Sequence, residues 1–511
     1  MRREIWDGLG RVVVIAILAS VTAWLAMRGF VPAYGAPDGP IGDGAARREL
    51  VVVVPEDALT LDPARFDRHA ITESVHQLLY RRLLSREGVG FTLDLAQSIE
   101  PVDERTWRIQ IKPGLKTPEG ESYGAREVAQ WLERLISPEG IDGFPSVARS
   151  RIGAIASVRA EGDTVWLHLS RPWPQIVAQL AREPIALLSP DGEVKPTGPF
   201  RVERWDRGNR IILSRVGPAS RGEPTHIRIE VVSSAEERLR RVLTGSAHIG
   251  VALPPDALWR LQRAQGVKAV TVPQSRVHFV EFDVSRPPFN DVRVRLALNM
   301  AVDRHRLVET LLEREAVPVA TLLSPVTYGF DSDVRAIPYD PQAAQRLLAE
   351  AGYPRGFDFE LDTIPSKRRV AEGISEMLAE VGVTAFVRVW SDWSSLREAI
   401  QRENRQAWLG EWGNSSMDPA GALWPKLHSR GEANYGKYKD QTLDSMLEQA
   451  EGTLDPVKRL EAYREIQRYL TENAAMLYGY ARYDIYGVDA TLEWTPWPEG
   501  LLNLATAKWT R

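Results

Sequence analysis

Pro288-Phe289-Asn290-Asp291-Val292-Arg293-Val294-Arg295-Leu296-Ala297-Leu298-Asn299-Met300-Ala301-Val302-Asp303-Arg304 is the most informative run of this 511-residue chain. Read physically, it is a capped helix. Asn290 or Asp291 can accept from the unpaired N–H groups of a first turn, and Val292, Leu296 and Met300 recur at the spacing of one buried face. Arg293 and Arg295 are then placed to bind acidic groups nearby. Every part of the run serves to hold a fold, and none of it suggests chemistry on a substrate.

Outward from this helix, strands and helices intersperse. Val277–Val284 precedes it as an alternating strand, and Trp107–Ile111, Val165–Leu169, His226–Val232 and Phe357–Leu361 have the same pattern. Leu50-Val51-Val52-Val53-Val54 is continuously apolar and β-branched, as buried parallel strands are. Asp340-Pro341 starts a helix with Leu347, Leu348 and Ala351 on its face and Gly352 at its end. Asp455-Pro456 repeats that start above a stripe of Leu460, Tyr463, Ile466, Tyr469 and Leu470. The class is therefore α/β.

Composition narrows the function. Lys and Arg total 64 against 68 Asp and Glu, a net charge of −4 with no basic stripe, which excludes a nucleic-acid surface. No cysteine is present, so disulfides, thiolate nucleophiles and Cys-bound metals are excluded, as is a lipid-bearing cysteine. Phosphate loops, nucleophile elbows and His-Glu-x-x-His motifs are missing. Eight histidines are dispersed; His69 and His76, seven apart, lack a third ligand. Glu236-Glu237 lies in a charged helical face. The expectation is a protein that is no enzyme and carries neither cofactor nor metal.

The N-terminus carries an export signal. Arg2, Arg3 and Arg11 precede sixteen uncharged residues, Val12 to Met27, and Arg28 follows. Such a run spans roughly 24 Å as a helix against a hydrocarbon core of about 30 Å, long for a signal peptide and short for a span. Both a cleaved signal and an uncleaved anchor fit; Tyr34 in Ala33-Tyr34-Gly35-Ala36 spoils a small-x-small cleavage site and favours the anchor. Orientation puts everything after Arg28 outside the cytoplasm. Residues 1–30 are thus read as signal or anchor, and 31–48, rich in Pro, Gly and Ala, as a flexible tether.

The run at Pro288–Arg304 also resembles the PF-D-VRVR-AL-A-DR signature of the large extracytoplasmic solute-binding proteins of peptide/nickel-type ABC importers. Further segments stand in that family's order: Leu61-Asp62-Pro63, Trp107 to Gly114, Thr197-Gly198-Pro199-Phe200, Tyr339-Asp340-Pro341 and Trp412 through Asp418-Pro419. The resemblance covers about 49–509. It implies a two-lobed periplasmic binding protein fold with an extra subdomain on lobe I, closing over a ligand by hinge motion. Lobe I would take 49–275 and 480–511, with the subdomain at about 80–155, and lobe II 276–479. Separate sheets are expected in the two lobes, joined by crossings near Ser275–Phe282 and Tyr478–Tyr483. The implied function is a receptor that hands a peptide-like or other small polar ligand to an ABC permease. The alternative is a membrane-anchored extracytoplasmic sensor or interaction protein. Its partners would be the ligand, the permease subunits and, through the anchor, the inner membrane, with the chain itself a monomer.

The ligand segment departs from the peptide-binding pattern. Where those relatives offer an aspartate to the peptide's α-amino group, aligning on Asp418-Pro419 places Ser415. A hydroxyl cannot replace a charge-assisted bond to a buried ammonium. For a ligand carboxylate, only Lys367 or Arg368 is at hand. Trp390, Trp393, Trp408, Trp412 and Trp424 crowd thirty-five residues of a chain with 16 tryptophans. Core packing is the expectation for Trp408 and Trp424, the cleft wall for Trp412, and either role for Trp390 and Trp393. The expected binding residues are Trp412, Asn414, Ser415, Asp418, Trp390, Trp393 and Lys367, although Asp418 could equally cap the turn before Pro419.

Overall fold

The computed structural model describes residues 48–510 apart from 66–68, 88–89, 141–145 and 415. The expected signal or anchor, and all of the tether but its last residue, lie outside the described residues. Eleven strands form one mixed sheet: β1 (Glu49–Val54), β2 (Phe200–Asp206), β3 (Arg210–Arg215), β4 (His226–Val231), β5 (Ile249–Gly250), β6 (Val267–Phe282), β7 (Ala316–Pro318), β8 (Asp358–Thr363), β9 (Thr384–Val389), β10 (Ala407–Trp412) and β11 (Leu477–Asp489). Their order is β2-β3-β4-β1-β5-β11-β6-β10-β8-β9, with β7 on β11.

The apolar run of β1 lies between parallel neighbours, β4 and β5, with both faces buried. At the other end β10, β8 and β9 are again parallel. These two blocks are the α/β cores of two lobes. Antiparallel β6 and β11, 16 and 13 residues long, join them. Because β11 pairs with β5 of lobe I, β6 pairs with β10 of lobe II, and β6 and β11 pair with each other, the ladder runs on without a break, where separate sheets were expected.

The cores are nonetheless distinct. Val272 of β6 packs with Leu50, Val52 and Val54 in lobe I, whereas Val277 packs with Phe279, Leu423 and Ile466 in lobe II. Between them the pairing slips, Pro273 facing Tyr483 and Val277 facing Ala481. Gln274, Ser275 and Arg276 therefore span what Arg482 alone spans on β11, a bulge at the junction of the cores. The C-terminal residues Leu492, Trp494, Leu502 and Leu504 return to the lobe I core.

After β1, lobe I continues with α1 (Ala70–Leu79) and carries a separate antiparallel sheet of four strands, Ala96–Pro101, Thr106–Ile111, Thr164–Leu169 and Ile155–Glu161, covered by α2 (Ala125–Ile136). This sheet reaches Leu169, past the expected edge near 155, because Thr106 pairs with His168. At Thr197-Gly198-Pro199 the backbone passes so close to the end of α1 that a Cβ on Gly198 would lie 2.5 Å from the Leu78 carbonyl oxygen.

In lobe II, α3 (Val292–Ala301) and α4 (Pro341–Glu350) are followed by α5 (Arg368–Ala379), α6 (Trp393–Arg402), α7 (Pro419–Leu427), α8 (Gln441–Gly452) and α9 (Pro456–Asn473). Asp291 caps α3 by accepting from the Arg293 N–H at 2.8 Å, and Asp340 and Asp455 cap α4 and α9. The buried side of α3 is Val294, Ala297, Leu298 and Ala301, with Val292, Leu296 and Met300 only partly covered.

That rotation brings Arg295 and Asn299 inside, and it corrects one expectation. Arg293 does pair with Asp291, at 2.6 Å, but Arg295 binds no acid among the described residues. Its guanidinium donates to the carbonyls of Ala474 at 3.0 Å, Asn473 at 3.0 Å and Phe289 at 2.9 Å. These carbonyls belong to the end of α9 and to the turn ahead of α3, where no intrahelical donor exists. Asn299 donates to Met476, and Arg304 donates to Tyr478 at 2.6 Å and to the Asn299 side chain.

Arg295→Met keeps the volume and removes the donors, leaving three buried carbonyls short of a partner. At about 1–3 kcal/mol per unsatisfied group, a loss of at least about 2 kcal/mol in urea denaturation is expected; an unchanged midpoint would contradict this account of the helix.

Candidate functional site

The lobe II wall is built on β6 and β10. Their register pairs Val277 with Trp412, Phe279 with Gly410 and Glu281 with Trp408, so these six residues share one face. A cavity of about 270 Å³ opens there, bordered by Trp412, Trp393, Phe279, Glu281, Lys426 and Tyr435, with Arg397 and Glu432 exposed beside it. The Trp412 ring is fixed by its Nε1–H, which donates to the Gly421 carbonyl at 2.9 Å.

The floor is a buried ion pair. Lys426 Nζ lies 2.5 Å from Glu281 Oε2 and donates to the Ala433 carbonyl, surrounded by the rings of Tyr435, Phe279 and Trp412 at 5.0, 5.5 and 5.9 Å. Glu281 also accepts from Trp408 Nε1 and the Gly436 N–H. With both charges matched, the floor is electrically neutral.

Glu411, also bordering the cavity, heads a second cluster. It pairs with Lys367 at 3.0 Å and Arg276 at 2.5 Å, with His278 Nδ1 at 3.4 Å. Burial alone would raise this carboxyl, but Lys367, His278 and Arg276 bring it down to about 2. Burial also pushes His278 down to about 3, so its ring, stacked on Tyr480 at 4.6 Å, is neutral at ordinary pH.

Of the seven expected residues, Trp412 and Trp393 meet at the cavity. Ser415 lies outside the described residues. Asn414 is 3% exposed, and both ends of its amide are engaged, donating to the Asp418 carbonyl at 2.8 Å and accepting from Ser416. Asp418 caps α7 through the Ala420 N–H and holds Arg459 in a two-point pair at 2.7 Å each. Asn414 and Asp418 therefore build the turn, which fits so tightly that a Cβ on Gly421 would approach the Asn414 and Ser416 side-chain oxygens to 2.6 Å. Trp390 donates to Asp362, itself held by Arg405, and sits behind the wall. Lys367 is buried and committed to Glu411. Trp408 is core and Trp424 stacks on His428, 3.9 Å between centroids.

The residues that sequence reasoning passed over are Arg276, His278, Glu281, Glu411 and Lys426. Two carried a signal, since Glu281 in VHFVEF and Glu411 in AWLGEW are charges set within apolar strands.

The Arg459 pair continues outward. Its guanidinium meets the Tyr463 hydroxyl, which donates to Glu451, and Glu451 accepts from Gln175 Nε2 of lobe I at 2.5 and 2.6 Å. Asp418 thus belongs to a polar chain that reaches across to the other lobe. Burial raises the Glu451 carboxyl above its ordinary value.

The depressed Glu411 carboxyl sets a pH signature. The stability it contributes is complete above its ordinary value near 4.5 and is lost as the pH falls towards 2. Glu411→Gln should remove that part of the acid-side slope, measured as melting temperature against pH; parallel slopes for variant and wild type would refute the pairing.

Comparison with known proteins gives this architecture its place. The family model described as "Bacterial extracellular solute-binding proteins, family 5 Middle" matches residues 90–434. Glutathione-binding protein GsiB of Salmonella typhimurium is 25% identical over 461 residues, covering 83% of this chain and 86% of its own. The dipeptide-binding protein of Escherichia coli is 23% identical over 437 residues, 80% of each. The unliganded open form of MppA, a periplasmic murein tripeptide binding protein, superposes with a TM-score of 0.82 at 19% identity, over 91% of this chain and 98% of that one. With two lobes, two crossing strands and a family match over most of its length, the chain belongs to the family 5 bacterial extracellular solute-binding proteins.

Proposed function

We propose that this protein captures a small, polar, peptide-like solute between its lobes and delivers it to an ABC permease, and that recognition does not rest on a free α-amino group. The solute class is taken over from relatives named for glutathione, dipeptides and a murein tripeptide. The observation that carries the second part is the state of the carboxylates. Asp418 is spent on Arg459, Glu281 on Lys426, and Glu411 on Lys367 and Arg276. A desolvated ammonium brought to the base of this cavity, away from the exposed Glu432 at its rim, would have to displace one of these cations.

The solute's apolar side then lies on Trp412 and Trp393, with Ser415 offering a hydroxyl in place of a charge. We take 49–275 with 480–511 as lobe I and 276–479 as lobe II, in line with the bulge at Gln274–Arg276 and the return of the C-terminal residues to the lobe I core. We also propose that the chain works as a monomer held to the outer side of the inner membrane by Val12–Met27; among the described residues no helix is long and apolar enough to cross a membrane. N-terminal sequencing of the exported chain decides this last point, since a start between Pro32 and Ala46 would mean a cleaved signal.

The test of the binding mode starts from small molecules released on denaturing protein purified from its native host, identified by mass spectrometry. In calorimetry with that solute, Trp412→Ala should weaken binding at least about tenfold, roughly 1.4 kcal/mol, while the protein stays folded. Ser415→Asp should weaken the native solute or shift preference towards amines. A short peptide held by its free amine at full affinity in the wild type would overturn the reading.

A further inference from the structure

A second, larger cavity of about 1120 Å³ is bordered mainly by lobe I residues, with Pro325 and Val326 from the lobe II range, and shares no lining residue with the one at Trp412. The chain leaving α1 at Tyr80-Arg81-Arg82, the turn at Thr197–Pro199 and the C-terminal segment from Glu493 to Thr506 enclose it, with Val272 and Val326 on its wall.

Arg82 is its unusual member. The residue is 6% exposed, lines the cavity, and has a buried Nε with no hydrogen-bond partner among the described residues. The Trp497 ring lies 5.9 Å from its guanidinium carbon. The carboxylates around it are engaged elsewhere: Asp94 by Arg81 at 2.5 Å, Glu73 by Arg182 at 3.1 Å, and Glu183 by Arg151 at 2.6 Å. Among the described residues, four guanidinium groups here face three carboxylates, and Arg82 is the surplus cation. Burial pulls it down to about 10, with Glu73, Asp94 and Glu183 opposing that shift, so it stays charged at neutral pH. A buried charge without a partner is costly, and a cation that opens on a cavity can gain its partner from outside.

The rest of the lining says what kind. Trp494 is buried with its Nε1–H given to the Leu502 carbonyl, and Trp497 is half-buried among Pro118, Pro199, Pro496 and Pro498. Lys116 and Glu493, both exposed, offset each other, and Arg81 with Asp94 is already neutral. One unmatched cation thus sits in a wall that is otherwise apolar or neutral.

We propose that this lobe I cavity is a second binding site, for a small organic anion whose carboxylate pairs with Arg82 and whose flat apolar body lies against Trp497. The site is independent of the solute captured at Trp412.

Indole-3-acetate, with its uncharged analogue indole-3-acetamide as control, probes this chemistry by calorimetry on the full chain. The acid should bind the wild type at least about tenfold more tightly than the amide. Arg82→Gln should weaken the acid by a similar factor and leave the amide alone, while Trp412→Ala should leave both unchanged. The acid and amide comparison on the wild type stands even if Arg82→Gln does not fold. Equal binding of the two probes, no binding of the acid at millimolar concentration, or a folded Arg82→Gln that binds the acid normally would each overturn the proposal.

Discussion

Backbone carbonyls at the end of α9 and the start of β11 are held by side chains of α3 and the residues just after it, and the two-lobed shape hangs on that attachment. Arg295 takes the carbonyls of Asn473 and Ala474, Asn299 takes Met476, and Arg304 takes Tyr478. Ala474 adopts a left-handed backbone, φ 41°, where the helix stops and the chain turns into the strand. From that point β11 runs back along β6 and ends in lobe I beside β5. A guanidinium can satisfy several carbonyls at once in a fixed fan, so the start of the return strand is fixed where β6 ends. The bulge at Gln274–Arg276 then falls between the two cores. Ser275 in the bulge donates to Glu499 of the C-terminal segment and accepts from the Asn414 N–H, linking that junction to the turn that follows β10.

On the wall of the Trp412 cavity the same economy of charge applies. Every carboxylate at the base of the Trp412 cavity has a cation against it, and Asn414 and Asp418 spend their polar atoms on the turn. What remains for a ligand is aromatic surface, with Arg397 and Glu432 at the rim. For a ligand held there as proposed, shape and stacking would discriminate rather than one dominant charge. In lobe I the balance is different, because one guanidinium there is left over.

Much of this was legible in the sequence. Capping aspartates before Pro341 and Pro456, the apolar run of β1 and the alternating strands are local signals, and the structure places each as read. The identity of the family came from a signature whose residues turn out to hold backbone rather than ligand. What could not be read is partnership across distance. Arg295 looks like a residue seeking an acid until the end of α9, 178 positions away, supplies a carbonyl instead. Asp418 looks like a ligand group until Arg459, 41 positions on, takes both of its oxygens. Glu411 stands out in sequence as a charge within an apolar strand, but only the pairing of β6 with β10 brings His278 beside it. A one-residue register decides which faces such groups share, and no local pattern specifies it.

The central claim is that a solute is held between two lobes that move about the β6 and β11 crossing. Small-angle X-ray scattering of the full chain, titrated with the solute released from protein made in its native host, tests it most directly. The account predicts a radius of gyration that falls in step with calorimetric saturation. A radius that stays constant while the solute saturates the protein would contradict it.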